Sequence, residues 1–464
     1  MRLERSPAEN TVFELVARAE RDAAPARLAA DDMQILCSCD LYNEGVDIPE
    51  ANTLLFLRPT QSPVVFQQQL GRGLCLADGK DSCLVLDFVG RVRQDFRFDR
   101  LYQALTGLTR RQLVAELDAG FTSLPPGCHI QFDRVARQRV LDSLRHIANQ
   151  TWPRLTGKLR AYALGRSADD IRLAHFLHDQ CVELEDVYRS RCWTALRRSA
   201  GLEQREAGAE EDDLGGRLGA LIHINDPRRL QLMRRIADEG AGCWPVLDAC
   251  GRRLVQMLAY QLYASRNELM DGQAFLARLD RTPLLRAELA ELVDCLEMRH
   301  DLDDRGCRGM PDAWPLVLHG AYSRAEILSA VACWSAQRRP PSRSGVVPLL
   351  DEQIELLLVT LDKREGFHER IAYHDYAISP TRFHWQTQNS AGPHTVAGRR
   401  YVESPGNGWR FFLFVRETAE DPYSALGAVT LAEEPTGDRP MSIVWRLEEA
   451  VPLALFQRYS VLRA

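Results

Sequence analysis

Short apolar runs and helical spacings alternate along the first ninety residues. Three runs are continuous and bounded by turn residues: MQILCSC at 33–39, TLLFL at 53–57 and SCLVLDFV at 82–89. Such runs are typical of strands that are buried on both faces, as in a parallel sheet. Between the second and third runs, Ser62 fits a helix N-cap and Pro63 the first helical turn. The pattern predicts an α/β domain with a parallel sheet and crossover helices.

Beyond residue 92 the pattern changes twice. Segments such as RVARQRVLDSLRHIANQ space their apolar residues by three and four, which predicts helices. The stretches QREAGAEEDDLGG and DLDDRGCRGMPD indicate linkers, and RRPPSRSG is the clearest break. The strand-like runs IELLLVTL, GWRFFLFVRE, ALGAVTL and MSIVWRL then predict a mainly β (α+β) domain. We therefore predict four segments: α/β at 1–92, helical at 93–203, helical with an acidic linker at 204–311, and β-rich at 312–464.

Composition narrows the possible partners of this 464-residue chain. The net charge of −6 argues against a general electrostatic grip on nucleic acid, so such binding would need local basic patches. The twelve cysteines include no C-x-x-C pair, so we expect reduced thiols and no metal site. Because no long uncharged apolar stretch occurs and the first thirty residues are charged throughout, we expect no membrane span, no signal peptide and a cytoplasmic location.

Two neighbouring segments carry the most specific signal. CDLYNEGVDIPEA (39–51) follows the first apolar run, and QQLGRGLC (68–75) lies on the predicted helix. E-G-V-D-I-P matches motif V of superfamily 2 helicases of the DEAD/DEAH type, and the second segment resembles their motif VI, Q-x-x-G-R-x-x-R. The chain thus resembles the C-terminal part of such a helicase, with part of the second RecA-like motor domain at 1–92. The alternative is an unrelated α/β domain with a chance Gly-Arg-Gly turn.

The resemblance implies roles for individual residues. Gln68 and Arg72 would contact nucleotide phosphates across a cleft, because the arginine fork binds phosphate oxygens with fixed geometry. Gly71 belongs to the same motif, and Gly45 would allow a close backbone approach to the nucleotide. Asp47 would accept hydrogen bonds from ribose or from neighbouring motif residues. Asp40 stands where the family links its ATP site to its nucleic-acid site.

The chain also departs from the family. The last motif VI arginine is Cys75 here, and an arginine finger contributes on the order of 10³–10⁵ in rate. No G-x-x-x-x-G-K-[ST] occurs, and no D-E-x-[DH] box follows a strand, so the phosphate cradle and magnesium ligands are missing from this sequence. We expect ATP and Mg²⁺ only in a complete motor, and no ATP hydrolysis by this chain alone.

Arginines suggest further nucleic-acid contacts. RVRQDFRFDR (91–100) interleaves arginines, including Arg93 and Arg97, with two phenylalanines, so it would bind phosphates and stack on bases, or else pack its phenylalanines at a domain junction. CWTALRRSAGL (192–202) resembles the second helix of a helix-turn-helix, but we favour the alternative of a plain helical bundle.

The C-terminal part resembles a domain of unknown function that follows the motor in one bacterial group of these helicases. LHGAYSRAEIL, YHDYAISPTRFHWQTQN, GRRY and GDRPMSIVWRLE carry the match. Full-length relatives often carry a phospholipase D-like nuclease ahead of the motor, and some look like modification-dependent restriction or defence systems. The resemblance therefore implies DNA, double- or single-stranded, as the partner, with a first motor half or such a nuclease domain beside it.

Aromatic residues of this segment offer a mechanism. A base-stacking surface would use Tyr373, Tyr376, Phe383 and Trp385, and Arg399 would add a phosphate contact. Core packing is the alternative for these aromatics, since a small β domain needs large apolar groups.

Three hypotheses follow from these observations. The chain is the C-terminal part of an ATP-dependent DNA helicase or translocase, or a non-catalytic DNA-binding or adaptor module that senses modified bases beside a separate motor or nuclease, or a decayed product without activity.

Overall fold

The computed structural model describes two compact units, Met1–Gln150 and Thr151–Ala464. The described residues are 18–30, 32–37, 48–58, 60, 62–88, 98–106, 113–114, 116–117, 121, 124, 127–148, 150–167, 170–180, 182–263, 270–299, 302–333, 345–361, 375–404 and 406–460.

The first unit contains the predicted parallel sheet in a small form. Strands β1 (Thr53–Phe56) and β2 (Leu84–Asp87) are parallel, with Thr53 opposite Leu84, and helix α2 (Pro63–Leu74) connects them. Helices α1 (Arg18–Ala29), α3 (Phe98–Thr106) and α4 (Arg134–Ala148) complete the described elements. The α/β prediction is confirmed at this coarse level, because a parallel pair needs a crossover and a helix provides it.

Helix α2 has one packed face and one open face. Ser62 caps it by accepting a hydrogen bond from the Val65 amide at 3.4 Å, and Pro63 begins its first turn, as the sequence predicts. Phe66 is buried in a core with residues of α3 and α4, and Gly73, seven residues on, lies against β1. This packing fixes which side of α2 remains open to ligands.

The predicted strand over 33–39 is wrong for its described part. Residues 33–37 form no strand. Met33 is instead buried against Ala24 of α1, with Leu36 beside it. The apolar run therefore satisfies a helix contact rather than a sheet, which periodicity alone does not distinguish for so short a run.

The second unit begins with a helical bundle. Its largest core extends from Leu155 on the first helix into the sheet that follows. The helices are α5 (Trp152–Ala163), α6 (Leu173–Asp179), α7 (Leu184–Val187), α8 (Trp193–Ala200), α9 (Ala209–Gly215), α10 (Pro227–Glu239), α11 (Ala249–Tyr263), α12 (Gly272–Asp280), α13 (Pro283–Glu297) and α14 (Arg324–Ala330), with 3-10 turns at Leu218–Leu221 and Gly240–Val246.

The predicted acidic linker is wrong where α9 lies. Its Glu211 is buried and forms ion pairs with Arg198 at 2.5 Å and Arg205 at 2.7 Å. Two arginines from the preceding segment thus neutralise a carboxylate that composition alone assigns to a solvated connection. The second predicted linker is irregular over its described residues, and RRPPSRSG lies outside them apart from Gly345.

An eight-stranded mixed sheet forms the rest of the second unit. Its order is β4-β5-β8-β9-β10-β7-β6, with β3 also paired to β9. β5 and β8 are parallel, and the other pairs are antiparallel. The elements are β3 (Ala321–Tyr322), β4 (Val346–Leu349), β5 (Ile354–Thr360), β6 (Tyr376–Ser379), β7 (Arg382–Gln386), α15 (Val396–Val402), β8 (Arg410–Arg416), β9 (Tyr423–Leu431), β10 (Ser442–Leu447) and α16 (Leu453–Tyr459).

The two faces of this sheet are covered differently. One face, which we call the inner face, holds a core that includes residues of β5 through β10. On the opposite, outer face, the helical bundle packs against β4, β5, β8 and the start of β9. Residues of β6, β7 and β10 belong to the inner core only. The four predicted segment boundaries stay predictions.

A buried ionic cluster joins the bundle to the sheet. Arg229 of α10 is fully buried and donates hydrogen bonds to Asp226, to Glu326 of α14 and to the Ala321 carbonyl of β3. Its guanidinium carbon lies 4.1 Å from the ring centre of Tyr322. His223 Nε2 lies 2.7 Å from the second oxygen of Glu326. Below we call these five side chains the Arg229 cluster.

Gly73 and Gly71 of α2 provide a matched pair of variants. A Cβ at position 73 would lie 2.5 Å from Cys83 Sγ and 2.8 Å from Leu54 Cδ1, whereas position 71 has nothing within 4 Å. We expect Gly73→Ala to destabilise the first unit by roughly 1–3 kcal/mol. Gly71→Ala should stabilise it by roughly 0.5–1 kcal/mol, because glycine is entropically costly inside a helix. Hydrogen–deuterium exchange of peptides covering β1 and β2 in the full chain measures both; faster exchange in the Gly71 variant would contradict the packing described.

The Arg229 cluster predicts acid sensitivity of the second unit. Burial by itself would raise the pKa of Glu326, but Arg229 and His223 outweigh it and hold that pKa at about 2. A carboxylate with a lowered pKa stabilises the fold above its unfolded pKa of about 4.3, and that contribution is lost as the pH falls toward 2. We expect Glu326→Gln to cost roughly 3 kcal/mol at pH 7 and to flatten the fall in unfolding free energy between pH 5 and 2.

Urea unfolding followed by tryptophan fluorescence across this pH range measures the effect. Glu448→Gln is the matched control, because Glu448 is exposed and lies outside the Arg229 cluster. Equal pH dependence in the Glu326 variant and the wild type would exclude the assigned role.

Candidate functional site

The open face of α2 presents the predicted motif VI residues. Gln68 is exposed, and Arg72, one turn later, is half-buried. Cys75 follows on the same face, where its thiol donates a hydrogen bond to the Gly71 carbonyl at 3.4 Å. Positions 68, 72 and 75 lie on the side opposite to Phe66 and Gly73, as their spacing predicts. The helix therefore holds an amide and a guanidinium away from its own core.

A lysine in the loop after α2, which the sequence analysis did not single out, connects the two motifs. Lys80 Nζ donates hydrogen bonds to the Pro49 carbonyl at 2.7 Å and to the Cys75 carbonyl at 3.0 Å. Pro49 ends motif V and Cys75 ends motif VI, so one ammonium group binds the ends of both segments. A lysine in a short loop after a helix gave no sequence signal for this role. Asp40, Gly45 and Asp47 lie outside the described residues.

Asp87 is a candidate that the sequence analysis missed. It ends β2, and ligands of open α/β sheets bind outside the carboxyl ends of strands. Its side chain keeps part of its surface in solvent, while desolvation of the rest raises its pKa. Burial, together with the charge of Asp87, raises the pKa of Tyr102. The available signal was an acidic residue closing an apolar run.

The arginine-rich candidates divide between the two interpretations. Arg93 and Arg97 lie outside the described residues, but Phe98 of the same segment is buried in the core of the first unit, which supports the packing alternative for that ring. In the bundle, Arg198 pairs with Glu211, and Arg197 lies 4.0 Å from Glu291. These pairs favour a plain bundle over a phosphate-binding helix.

Two of the four predicted stacking residues lie in the core. Phe383 and Trp385 of β7 point into the inner core, where Trp385 packs edge-on against Tyr401 with ring centres 5.4 Å apart. Alternation along a strand places their neighbours on the other face. Their burial supports the core-packing alternative, because a ring enclosed by protein cannot stack on a base. Tyr373 lies outside the described residues.

Tyr376 and His384 lie on the outer face instead. Their rings stack with centres 5.2 Å apart and planes at 28°. Arg399 is exposed on α15, whereas its neighbour Arg400 binds Glu355 at 2.9 Å. Burial raises the pKa of Glu355, and hydrogen bonds from Tyr401 and Arg400 oppose that rise. The GRRY segment thus provides one exposed cation and one structural cation.

Metal-binding clusters and membrane-spanning helices are absent from the described residues. Across those ranges no group of three or more His, Cys, Asp or Glu side chains is arranged to hold a metal ion. No helix in the described part is long and apolar enough to cross a membrane.

Comparison with known proteins supports the two sequence resemblances. Residues 13–76 match the helicase conserved C-terminal domain, and residues 316–459 match a domain of unknown function, DUF3427. Over 71 residues, 15% of this chain, it is 37% identical to the putative ATP-dependent helicase IRC3 of Saccharomyces cerevisiae. Over 60 residues, 13% of this chain, it is 38% identical to the putative mitochondrial ATP-dependent helicase irc3 of Schizosaccharomyces pombe. Each alignment spans 10% of the relative's length.

The resemblance stated from the motifs is therefore confirmed: the chain carries the C-terminal region of a superfamily 2 helicase in its N-terminal part, followed by the DUF3427 domain.

Proposed function

We propose that this chain is the C-terminal portion of an ATP-dependent superfamily 2 DNA helicase or translocase. It supplies one wall of the nucleotide cleft, and another polypeptide segment supplies the P-loop wall. The match to the helicase C-terminal domain and the two ATP-dependent relatives support the motor class. DNA as the substrate and a role in restriction or defence, beside a phospholipase D-like nuclease, belong to the proposal and rest on the resemblance of the C-terminal domain.

The observation that carries the proposal is the open face of α2. A helix held by Phe66 and Gly73 on one side presents Gln68 and Arg72 on the other. In ATP-driven motors, charge that develops on the transferred phosphoryl group is stabilised by a positioned guanidinium. Arg72 is therefore the residue that would contact the phosphates of ATP, and Gln68 would hydrogen-bond beside it.

The described residues fit phosphate better than metal. Arg72 offers a cation, whereas no acidic cluster suited to Mg²⁺ occurs in the described part. Magnesium would therefore be held by the P-loop wall. The nucleotide side of the wall that this chain supplies would be shaped by Gly45, Asp47 and Gly71. Lys80 positions the end of motif V by binding the Pro49 carbonyl.

Cys75 supports the second candidate function, a DNA-binding or adaptor module without turnover. The thiol hydrogen-bonds within its own helix and carries no fixed charge. A motor that lacks this arginine loses a transition-state contact that cysteine does not replace. Under this alternative the chain binds DNA, or a nuclease subunit, and responds to nucleotide without hydrolysing it.

One test of the proposed function concerns ATP turnover by this chain alone. Phosphate release measured with ATP, Mg²⁺ and DNA should not exceed the protein-free background, because the chain lacks a P-loop. Addition of a separately produced P-loop motor domain from a related helicase should give DNA-stimulated release. Robust turnover by the chain alone would refute the half-cleft proposal, and no gain on complementation would favour the adaptor.

Variants of α2 distinguish the two candidate functions, an ATP-hydrolysing motor and a module without turnover. In the complemented system, Arg72→Ala should reduce turnover by about 10²-fold or more, because the guanidinium acts on developing charge. Cys75→Arg should raise turnover about tenfold or more if the site is a weakened ATPase. Gln67→Ala, an exposed neighbour on the same helix, is the control. An unchanged rate in the Arg72 variant would remove that residue from the proposed cleft.

A further inference from the structure

The uncovered part of the sheet's outer face has its own composition. Alternation points Phe383, Trp385 and Trp445 into the inner core, so Tyr376, His384 and Val444 face outward. Tyr376 pairs with His384, and His384 pairs with Val444, across three adjacent strands. None of the three outward residues belongs to either core of the second unit. The result is a row of one apolar and two aromatic side chains on a partly exposed sheet surface.

A polar row lies beside it, two residues further along the strands. Arg382 of β7 is directly opposite Arg446 of β10, and Arg446 is opposite Thr430 of β9. Arg382 forms an ion pair with Glu433, whereas Arg446 is exposed and makes no ion pair with any described residue. Like charges directly opposite on a sheet are destabilising. An anion bound between these two arginines would relieve that repulsion.

The spacing of the two rows matches a nucleotide. Two residues along a strand span about 7 Å, a distance that a base and its own phosphate can bridge. Proteins that bind single strands combine aromatic platforms for bases with cations that follow the backbone. A duplex keeps its bases stacked and paired, so it does not offer a base face to a flat aromatic surface.

We propose that the outer face of β6, β7 and β10 binds single-stranded DNA, with a base extending the stack of the Tyr376 and His384 rings and its phosphate held by Arg382 and Arg446. This inference rests on the proposed function. It names single-stranded DNA as the form of DNA that such a motor would bind, and the sheet surface that would bind it. The proposed surface uses Tyr376 and His384, which solvent reaches, instead of Phe383 and Trp385, which are buried.

The test measures the Kd of the full chain for a fluorescent oligothymidine in the absence of any nucleoside triphosphate. Tyr376→Ala and His384→Ala should each raise Kd about tenfold, since stacking on one aromatic contributes that much. Tyr376→Phe should bind like the wild type, because it keeps the ring. Arg446→Ala should weaken binding and lower the slope of log K against log salt by about 0.7. Arg308→Ala, which removes an exposed arginine from a loop outside the sheet, should change neither.

Independent readouts keep the result interpretable. Circular dichroism and thermal unfolding identify any variant that loses the fold, and ultraviolet crosslinking of a bromouracil strand to the wild type should label the peptide spanning β6 and β7. Wild-type affinity in folded Tyr376→Ala and Arg446→Ala variants, crosslinks elsewhere, or equal affinity for duplex and single strand would each overturn the inference. Because no ATP is present, a failed complementation assay leaves this result standing, and loss of single-strand binding leaves the α2 result standing.

Discussion

The buried guanidinium of Arg229 is the interaction on which the second unit's architecture depends. A charge removed from water is tolerated only when paired and fully hydrogen-bonded, and its partners come from Asp226 on the same helix, Glu326 on α14 and the Ala321 carbonyl on β3. Asp226 is local, but Glu326 and Ala321 lie 97 and 92 residues from Arg229 in the sequence, so these two meet it only when the bundle packs against the sheet in one way. Such a cluster adds little net stability compared with apolar residues, but it penalises every other packing arrangement.

That fixed packing determines which sheet surface remains available. The bundle occupies the outer face over β4, β5, β8 and the start of β9, and the inner core uses β5 through β10. Large rings such as Trp445 and Phe411, with centres 5.0 Å apart, fill that inner core. The outer side of β6, β7 and β10, which the bundle leaves uncovered, combines rings, cations and solvent access. The helical bundle therefore leaves only that part of the outer face open to the proposed DNA strand.

The sequence predictions succeeded where an apolar run was long and where its burial did not depend on contacts with other elements. The runs that became β5, β8, β9 and β10 are long and strongly apolar, so their burial was predictable. β7 is short and alternates polar with aromatic residues, so a strand and a functional motif gave the same pattern. The orientation of Trp385 depends on its register with Ile443, and the burial of Glu211 depends on Arg198 of another helix as well as on nearby Arg205. The pairing of one element with another is not encoded locally, and the contact of Lys80 with Pro49 was missed for the same reason.

In helix α2 the residues that hold the fold are separate from the residues that we propose to contact nucleotide. Phe66 and Gly73 hold α2 in place, and neither shares a face with Gln68 or Arg72. A substitution on the open face therefore removes a charge from the cleft without leaving a cavity in the core. Cys75 illustrates this, because its thiol finds a partner in the Gly71 carbonyl one turn earlier and needs no compensating change. The scaffold of a motor domain can thus persist while its arginines are altered, so under the proposed function the chemistry of the open face, rather than the fold, would determine whether the cleft hydrolyses ATP or only binds it.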